Sequence, residues 1–320
     1  MNQINELVSI IHKSSNIALI GHRDGDGDSF GSMLSLRLAI NEMGKKAKII
    51  SDQSLPPNLD FFNIFEKHAF INEYFFGTDL IIILDTPDLA RVSIPSIVIK
   101  AKEEGAKVIL IDHHQNGDLE QLVDYYYIEQ NSCSTCEIIY KILELLRTKI
   151  DKKIATYLLT GIETDTTSFQ NQNTTSRGLV IASNLIRLGA RLNLVTKHSL
   201  SSQSFENYKI YGLVLSRLKI HPGTQIAVSY LALSDIYKYD INNNSITGIS
   251  NSLNVLKNVS MLIIITEEEE GLVKISLRTR NIQIDVGKIA KQFGGGGHTK
   301  ASGFSINGHL FISNLAVKIV

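Results

Sequence analysis

Short runs that are apolar at every position, LIIIL at Leu80–Leu84 and VILI just before Asp112, constrain this chain most. A strand with no polar side must be covered on both faces, which crossover helices achieve and open hairpins seldom do. Similar β-branched runs stand at 17–21, 46–51, 80–85, 108–112 and 125–128. Helical spacing falls between and after them, at 29–43, 95–104, 136–146, 153–162 and 177–188. The alternation predicts an α/β fold, a parallel sheet with helices on both faces.

Beyond residue 191 the pattern changes. The stretch 192–218 is rather polar and helical, with 201–204 as its least structured part. Strand-like runs at 225–231, 261–266 and 272–279 follow, then a helix at 286–293 and the glycine run 294–297. The expected organisation is a first domain over 1–191, a helical linker over 192–218, and a smaller α/β domain over 219–320 across a cleft from the first. At 320 residues and 43% hydrophobic content, each domain can have its own core.

Lysine plus arginine equals aspartate plus glutamate at 32 each, so no global positive field draws long nucleic acid or an anionic membrane. Any nucleotide site must be local, and residues 271–320 supply the local excess, with seven lysines and arginines against Asp285. Two cysteines, Cys133 and Cys136, make no disulfide framework and suit a reducing cytoplasm. No signal-peptide pattern opens the chain and no apolar run approaches the ~18 residues of a membrane span. The expectation is a cytoplasmic protein without a membrane partner.

Three strands run into acids or histidines: the first into His22, the third into Asp85, the fourth into Asp112, His113 and His114. The carboxyl ends of parallel strands share one edge, where ligands bind. GHRDGDGDSFGS adds Asp24, Asp26 and Asp28 in a glycine-punctuated loop, and TGIETDTTSF adds Glu163 and Asp165 at a helix end. Carboxylates crowded together raise one another's pKa unless cations compensate. A mixed carboxylate and imidazole set suits divalent manganese better than structural zinc.

These motifs resemble the DHH phosphoesterases, named for the triplet that here is Asp112, His113, His114. Histidine, three residues, aspartate, one residue, aspartate reads His22, Asp26, Asp28; LDTPDLAR gives Asp85; TGIETDT gives Asp165; GGGGHTKASG, preceded by VKISLRTR, resembles the DHH-associated C-terminal domain. The likeness is greatest to the bacterial nanoRNases that also act as 3'-phosphoadenosine 5'-phosphate (PAP) phosphatases. It implies two divalent ions, Mn2+ by the donor argument, one held by His22, Asp26 and Asp85 and the other by Asp28, Asp85, His113 and Asp165. It further implies His114 facing substrate phosphate, Asp112 orienting its neighbours, and Arg278, His298 and the backbone of Gly295, Gly296 and Gly297 gripping a terminal phosphate. Two positions depart from the family pattern: Gly25 stands where proline is common, and Thr167 where glycine is common.

Blander readings hold elsewhere. Asp24 and Asp88 fit solvated loop carboxylates or a helix cap, and Glu163 a solvent-facing helix residue. NSCSTCE reads as a helix start capped by Ser134 or Thr135, with Glu137 in its first turn, rather than a redox pair. The run 267–270 reads as a solvated turn.

The implied substrates are short RNA oligonucleotides, dinucleotides and PAP, with the second domain setting substrate length. A long single strand would need an extended basic groove with stacking aromatics, which this tryptophan-free chain lacks. A cyclic-dinucleotide phosphodiesterase is the alternative within enzymes and a non-catalytic nucleotide sensor the alternative outside them. A homodimer is left open.

Overall fold

The computed structural model describes residues 3–65, 70–71, 77–114, 117–200, 205–239, 249–250, 253, 256–268, 271–297, 299–312 and 317–320. The chain divides into two compact units, Met1–Ser202 and Gln203–Val320.

The first unit runs α1 (Gln3–Lys13), β1 (Asn16–Ile20), α2 (Gly27–Glu42), β2 (Lys46–Ile50), β3 (Leu80–Leu84), α3 (Pro95–Glu103), β4 (Lys107–Asp112), α4 (Leu119–Leu122), β5 (Tyr125–Ile128), α5 (Thr135–Leu145), α6 (Lys152–Asp165), α7 (Ser176–Arg187) and α8 (Leu192–Leu200). Among the described residues β1–β5 form one parallel sheet in the order β2-β1-β3-β4-β5. The all-apolar runs have the reason expected of them. Ile17, Leu19, Ile82, Leu84, Ile109 and Ile111 enter one core with helices α1, α2, α5 and α6, while the alternate residues Ala18, Ile20, Ile81, Ile83, Val108 and Leu110 enter another with α3. The sheet therefore has helices on both faces, as the alternation predicts. Strand order reverses between β1 and β3, the switch point where an open parallel sheet leaves a crevice beyond its carboxyl ends.

Three helices of this unit differ from the sequence expectation, which has none at α4. No helix is expected at α1, whose Ile4, Leu7 and Ile11 form a buried stripe of little more than two turns. Helix α6 continues to Asp165, past the expected end at 162. Its threonines favour helix weakly, but tertiary packing carries it on. A Cβ on Gly161 would stand 2.3 Å from the Cys136 sulfur and 2.6 Å from an Asp28 carboxylate oxygen, and one on Gly31 of α2 would stand 2.5 Å from the Tyr157 carbonyl. Glycine at these positions lets α2, α5 and α6 close together around Asp28.

The second unit runs α9 (Phe205–Ser216), β6 (Lys219–Ile220), β7 (Ile226–Leu231), α10 (Leu233–Tyr239), β8 (Met261–Glu268), β9 (Leu272–Arg278), α11 (Val286–Gln292), β10 (Gly296–Gly297), β11 (Ala301–Asn307), β12 (Leu310–Ile312) and β13 (Val317–Ile319). Its main sheet, among the described residues, has the order β10-β11-β9-β8-β7-β6 and is mixed, with β7 and β8 parallel. Ile210 and Val214 of α9 pack with Ala227, Leu231, Leu262 and Ile264 on one side, and Val286 of α11 packs with Val273, Ile275 and Leu277. Residues 201–204, expected to be the least structured, lie outside the described residues.

The run 267–270 is not wholly a solvated turn. Glu267 lies in β8, is buried, and accepts from the backbone N–H groups of Leu233 at 3.0 Å and Leu310 at 3.1 Å. An acid can enter this sheet because two amides meet it there; Glu269 and Glu270 lie outside the described residues. Among the described residues no helix is long and apolar enough to cross a membrane.

Candidate metal centre

The strand ends bring their polar residues to one edge of the parallel sheet. β1 passes through Gly21 to His22, whose Nδ1 donates to the Arg23 carbonyl at 2.6 Å. That bond sets the tautomer and turns Nε2 toward Asp85 Oδ2 at 3.6 Å and Asp26 Oδ1 at 3.8 Å. Asp26 is also the N-cap of α2, accepting from the amides of Asp28 at 2.9 Å and Ser29 at 3.2 Å. Asp85 ends β3 in the left-handed region, φ +63°, where aspartate is tolerated better than a branched residue. Its carboxylate is buried and takes a 3.1 Å bond from the Thr135 hydroxyl.

His113, one residue beyond β4, donates Nδ1 to the Ser132 carbonyl at 3.3 Å. Its Nε2 then lies 3.5 Å from Asp165 Oδ2, 3.8 Å from Asp85 Oδ1 and 4.0 Å from Asp28 Oδ2. Nε2 is buried with no hydrogen-bond partner. A buried imidazole nitrogen facing three carboxylate oxygens, each beyond hydrogen-bond length, fits a shared cation: two atoms bound to one ion at ~2.1 Å lie up to ~4.2 Å apart.

The electrostatics agree. Burial, then the charges of Asp28 and Asp26, push both Asp85 and Asp165 well above the ordinary carboxylate range. A divalent cation would relieve that penalty. Ligand atoms of His22, Asp26 and Asp85 lie within 4.8 Å of one another, as do those of Asp28, His113 and Asp165. These residues could hold divalent metal, and Asp85 faces both histidines from its two oxygens.

Asp112 stands behind the triplet histidines. One oxygen accepts from the His113 amide at 2.7 Å, the His114 amide at 3.1 Å and His114 Nδ1 at 2.7 Å. Burial opposes its charge, but the His114 bond prevails and holds its carboxyl below the usual range. Asp112 therefore orients the histidine pair.

In the second unit Arg278 ends β9, paired with Ala301 of β11, and Gly296 and Gly297 pair with Gly303 and Ser302 on the same strand. Arg278 Nη1 donates to the carbonyls of Leu277 at 2.9 Å and Ser302 at 3.4 Å. A Cβ on Gly295 would meet the Gly303 carbonyl at 2.2 Å. Gly297 has φ +129°, and a Cβ there would meet the Ala301 carbonyl at 2.6 Å. Gly296 is different: a Cβ there would meet nothing within 4 Å. His298 lies outside the described residues.

Glu163 is not solvent-facing: it is 2% exposed, because helix α6 turns it inward beside the 166–169 turn. The Ser168 hydroxyl donates to its Oε1 at 2.7 Å. That turn places Thr167, Ser168 and Phe169 all at positive φ, so Thr167 takes a left-handed conformation that favours glycine. The expected helix start is present, with Ser134 capping α5 by accepting from the Glu137 amide at 3.2 Å. Asp24 is an exposed loop carboxylate bonded to Gln53, and Asp88 makes no cap bond.

Several partners of the cluster carry no ligand signature in the sequence. The backbone amides of Thr135 and Cys136, at the start of α5, donate to the two oxygens of Asp28 at 2.6 and 2.8 Å. Asn173 donates its side-chain amide to Asp165 Oδ2 at 3.3 Å and to the Cys133 carbonyl at 3.0 Å. The capping pattern NSCSTCE locates this helix start; nothing in it says which carboxylate the freed amides meet.

A parallel α/β unit whose histidines and aspartates could hold divalent metal at the carboxyl edge of its sheet, followed by a second α/β unit, defines the class together with the two domain matches: a phosphoesterase. The chain belongs to the DHH family: residues 16–162 match the DHH family N-terminal domain and residues 223–316 the DHHA1 domain. It is similar to the bifunctional oligoribonuclease and PAP phosphatase NrnA of Thermus thermophilus, 29% identical over 91% of this chain and 84% of that one. It is also similar to the protein of the same name from Mycoplasma genitalium, 27% identical over 98% of this chain and 95% of that one. A crystal structure of an exopolyphosphatase-related protein from Bacteroides fragilis shares the fold with a TM-score of 0.84, at 24% identity and covering 94% of this chain and 90% of that one.

Proposed function

We propose that this chain is a manganese-dependent phosphoesterase that hydrolyses RNA fragments of about two to five nucleotides to mononucleotides, and PAP to AMP. The single observation that carries this reading is the buried His113 Nε2 among the oxygens of Asp28, Asp85 and Asp165, with His22 reaching Asp85 from the other side. The similarity to two oligoribonuclease and PAP phosphatase proteins supports the substrate class.

In this reading His22, Asp26 and Asp85 would hold one ion and Asp28, Asp85, His113 and Asp165 would hold another, with Asp85 common to both sets. Bound divalent ions supply water activation and neutralise charge on the phosphate under attack. The chain's own residues do the rest. Asp112 keeps a proton on His114 Nδ1, leaving Nε2 as the nitrogen that meets phosphoryl oxygens or the leaving group. Arg278, His298 and the 295–297 backbone hold a terminal phosphate. Gly296 supports that role, since packing does not demand glycine there and close approach of an anion to the backbone would. Residues 1–191 would thus be catalytic and 219–320 substrate-binding, joined through 192–218.

The test is nucleotide release, with manganese, from pApA, pGpG, PAP, an RNA pentamer, a 20-nucleotide strand and cyclic di-AMP. Turnover of the dinucleotides, PAP and pentamer with little action on the 20-mer is expected. Preference for cyclic di-AMP would overturn the substrate assignment, and no turnover of any would overturn the enzyme assignment.

A further inference from the structure

One segment, Ser132 to Cys136, bonds to three residues of the second proposed metal site and reaches the fourth, Asp165, through Asn173. The Ser132 carbonyl accepts from His113 Nδ1, and the Cys133 carbonyl accepts from Asn173, which also donates to Asp165. The Thr135 hydroxyl donates to Asp85, and the amides of Thr135 and Cys136 donate to Asp28. The two unshared ligands of the other site have separate supports, His22 Nδ1 bonding to Arg23 and Asp26 capping α2, and the segment reaches that site only through the shared Asp85.

What fixes the segment is an ion pair that the chemistry above does not use. Glu137 is fully buried; its Oε2 accepts from the Cys133 amide at 2.8 Å and its Oε1 from Arg177 Nε. The Arg177 guanidinium also donates to the Ser132 hydroxyl at 3.0 Å and pairs with Glu129 at 2.8 Å. Glu129 in turn pairs with Lys141, and its amide donates to the Asp112 carbonyl at 3.0 Å. A planar fork that satisfies three acceptors at fixed angles is a geometric device that lysine cannot copy. It joins α7 to the residues just before α5.

We propose that Arg177 and Glu137 are positioning residues for the site whose own ligands are Asp28, His113 and Asp165, and not for His22 and Asp26, so that this pair, its carboxylate buried and its guanidinium partly exposed, sets the affinity of one metal of the two. The inference rests on the two-metal reading above. Supports of this kind orient a ligand and fix its tautomer, and losing one typically weakens metal binding by roughly 10- to 100-fold.

The experiment is a titration of the metal-free full chain with Mn2+ alone, following free ion by electron paramagnetic resonance, for the native protein, Arg177→Lys, Ser132→Ala and His22→Ala. Native protein should bind two ions. Arg177→Lys should weaken one step by roughly 10-fold or more and leave the other within about twofold, while His22→Ala weakens the opposite step. Ser132→Ala removes only the hydroxyl that Arg177 grips and keeps the carbonyl, so it should shift the same step as Arg177→Lys by a smaller factor. It decides the matter if Arg177→Lys does not fold. The imidazole nitrogen resonances of His113 should also show a mixed tautomer in Arg177→Lys. Two native affinities in both variants, or an equal loss at both steps, overturns the inference. Release of nucleotide by the native protein is assayed in parallel: native turnover with unaltered metal steps in the variants defeats the inference alone, whereas no native turnover defeats the functional reading.

Discussion

The two units handle their polar residues in opposite ways. In the first, every proposed ligand is buried or pinned: Asp28 by two amides, Asp85 by a threonine hydroxyl, His22 and His113 by backbone carbonyls. In the second, Gly296 belongs to a two-residue strand and faces open space, and Arg278, at the end of β9, is tied to the carbonyls of Leu277 and Ser302. Metal coordination requires ligands held closely before the ion arrives. A grip on a flexible phosphate needs mainly charge and room for the anion to reach backbone amides. The comparison predicts that damage to the first unit abolishes chemistry, whereas damage to the second changes which substrates are used.

The largest expected effect is from Asp85→Ala, which should lower turnover by about 1000-fold or more and remove both ions, since Asp85 is the proposed shared ligand. His114→Ala should keep both ions and lose rate. Metal analysis of the two purified variants separates these outcomes, and an Asp85→Ala protein that retains two ions would end the bridging assignment.

Next comes the second unit. Arg278→Ala and His298→Ala should each lower kcat/KM for pApA by roughly 10- to 100-fold, the scale of a lost charge-assisted phosphate contact. Both should still cleave a small artificial phosphodiester. Equal losses on both substrates would erase the contrast between the units.

A smaller effect sharpens it. Gly296→Ala has room for its methyl group, so its melting temperature should match native while KM for pApA rises by roughly tenfold through lost backbone approach. Gly295→Ala collides with the Gly303 carbonyl and should be destabilised. A Gly296→Ala enzyme with native KM would remove the argument for anion contact at that residue.

Replacing Cys133 and Cys136 together by serine should leave activity within about tenfold, or ~1.4 kcal/mol of barrier. Both are buried, and burial pushes each thiol up, helped by Glu137 for Cys133 and Asp28 for Cys136, so neither is a ready thiolate. A larger kinetic loss in a folded variant would revive a redox or metal role.

The smallest effect is a pH dependence. Asp85 and Asp165 are raised in the folded chain above their unfolded values near pH 4. Their contribution to stability is therefore full below about pH 4 and is lost as pH rises through the raised values. Cations compensate the ionised acids, so the rise in Tm produced by Mn2+ should be a few °C larger at pH 8 than at pH 5. Equal rises at both pH values would show that the acids are not coupled to metal.

Much of the fold was legible before any coordinates, because strands buried on both faces must be apolar throughout and an acid at their end stands out. Asp85 after LIIIL and the Asp112, His113, His114 triplet after β4 are of this kind. The same logic misjudged Glu163 and Glu267, charged residues whose burial depends on which hydroxyl or amide folds against them. It was also silent about α1, although Ile4, Leu7 and Ile11 recur there at helical spacing.

The residues of the cluster and their chain order are thus determined by the sequence alone: which strands end in acids, and that the parallel sheet gathers those ends along one edge. Only the tertiary structure decided what holds them. The amides of Thr135 and Cys136 meet Asp28 across more than a hundred residues of chain, and Arg177 reaches Glu137 from another helix. The physical reason is that side-chain periodicity records whether a position faces a core, whereas a hydrogen bond between distant segments depends on how helices close on one another. Here that closure is allowed by the missing Cβ atoms of Gly31 and Gly161.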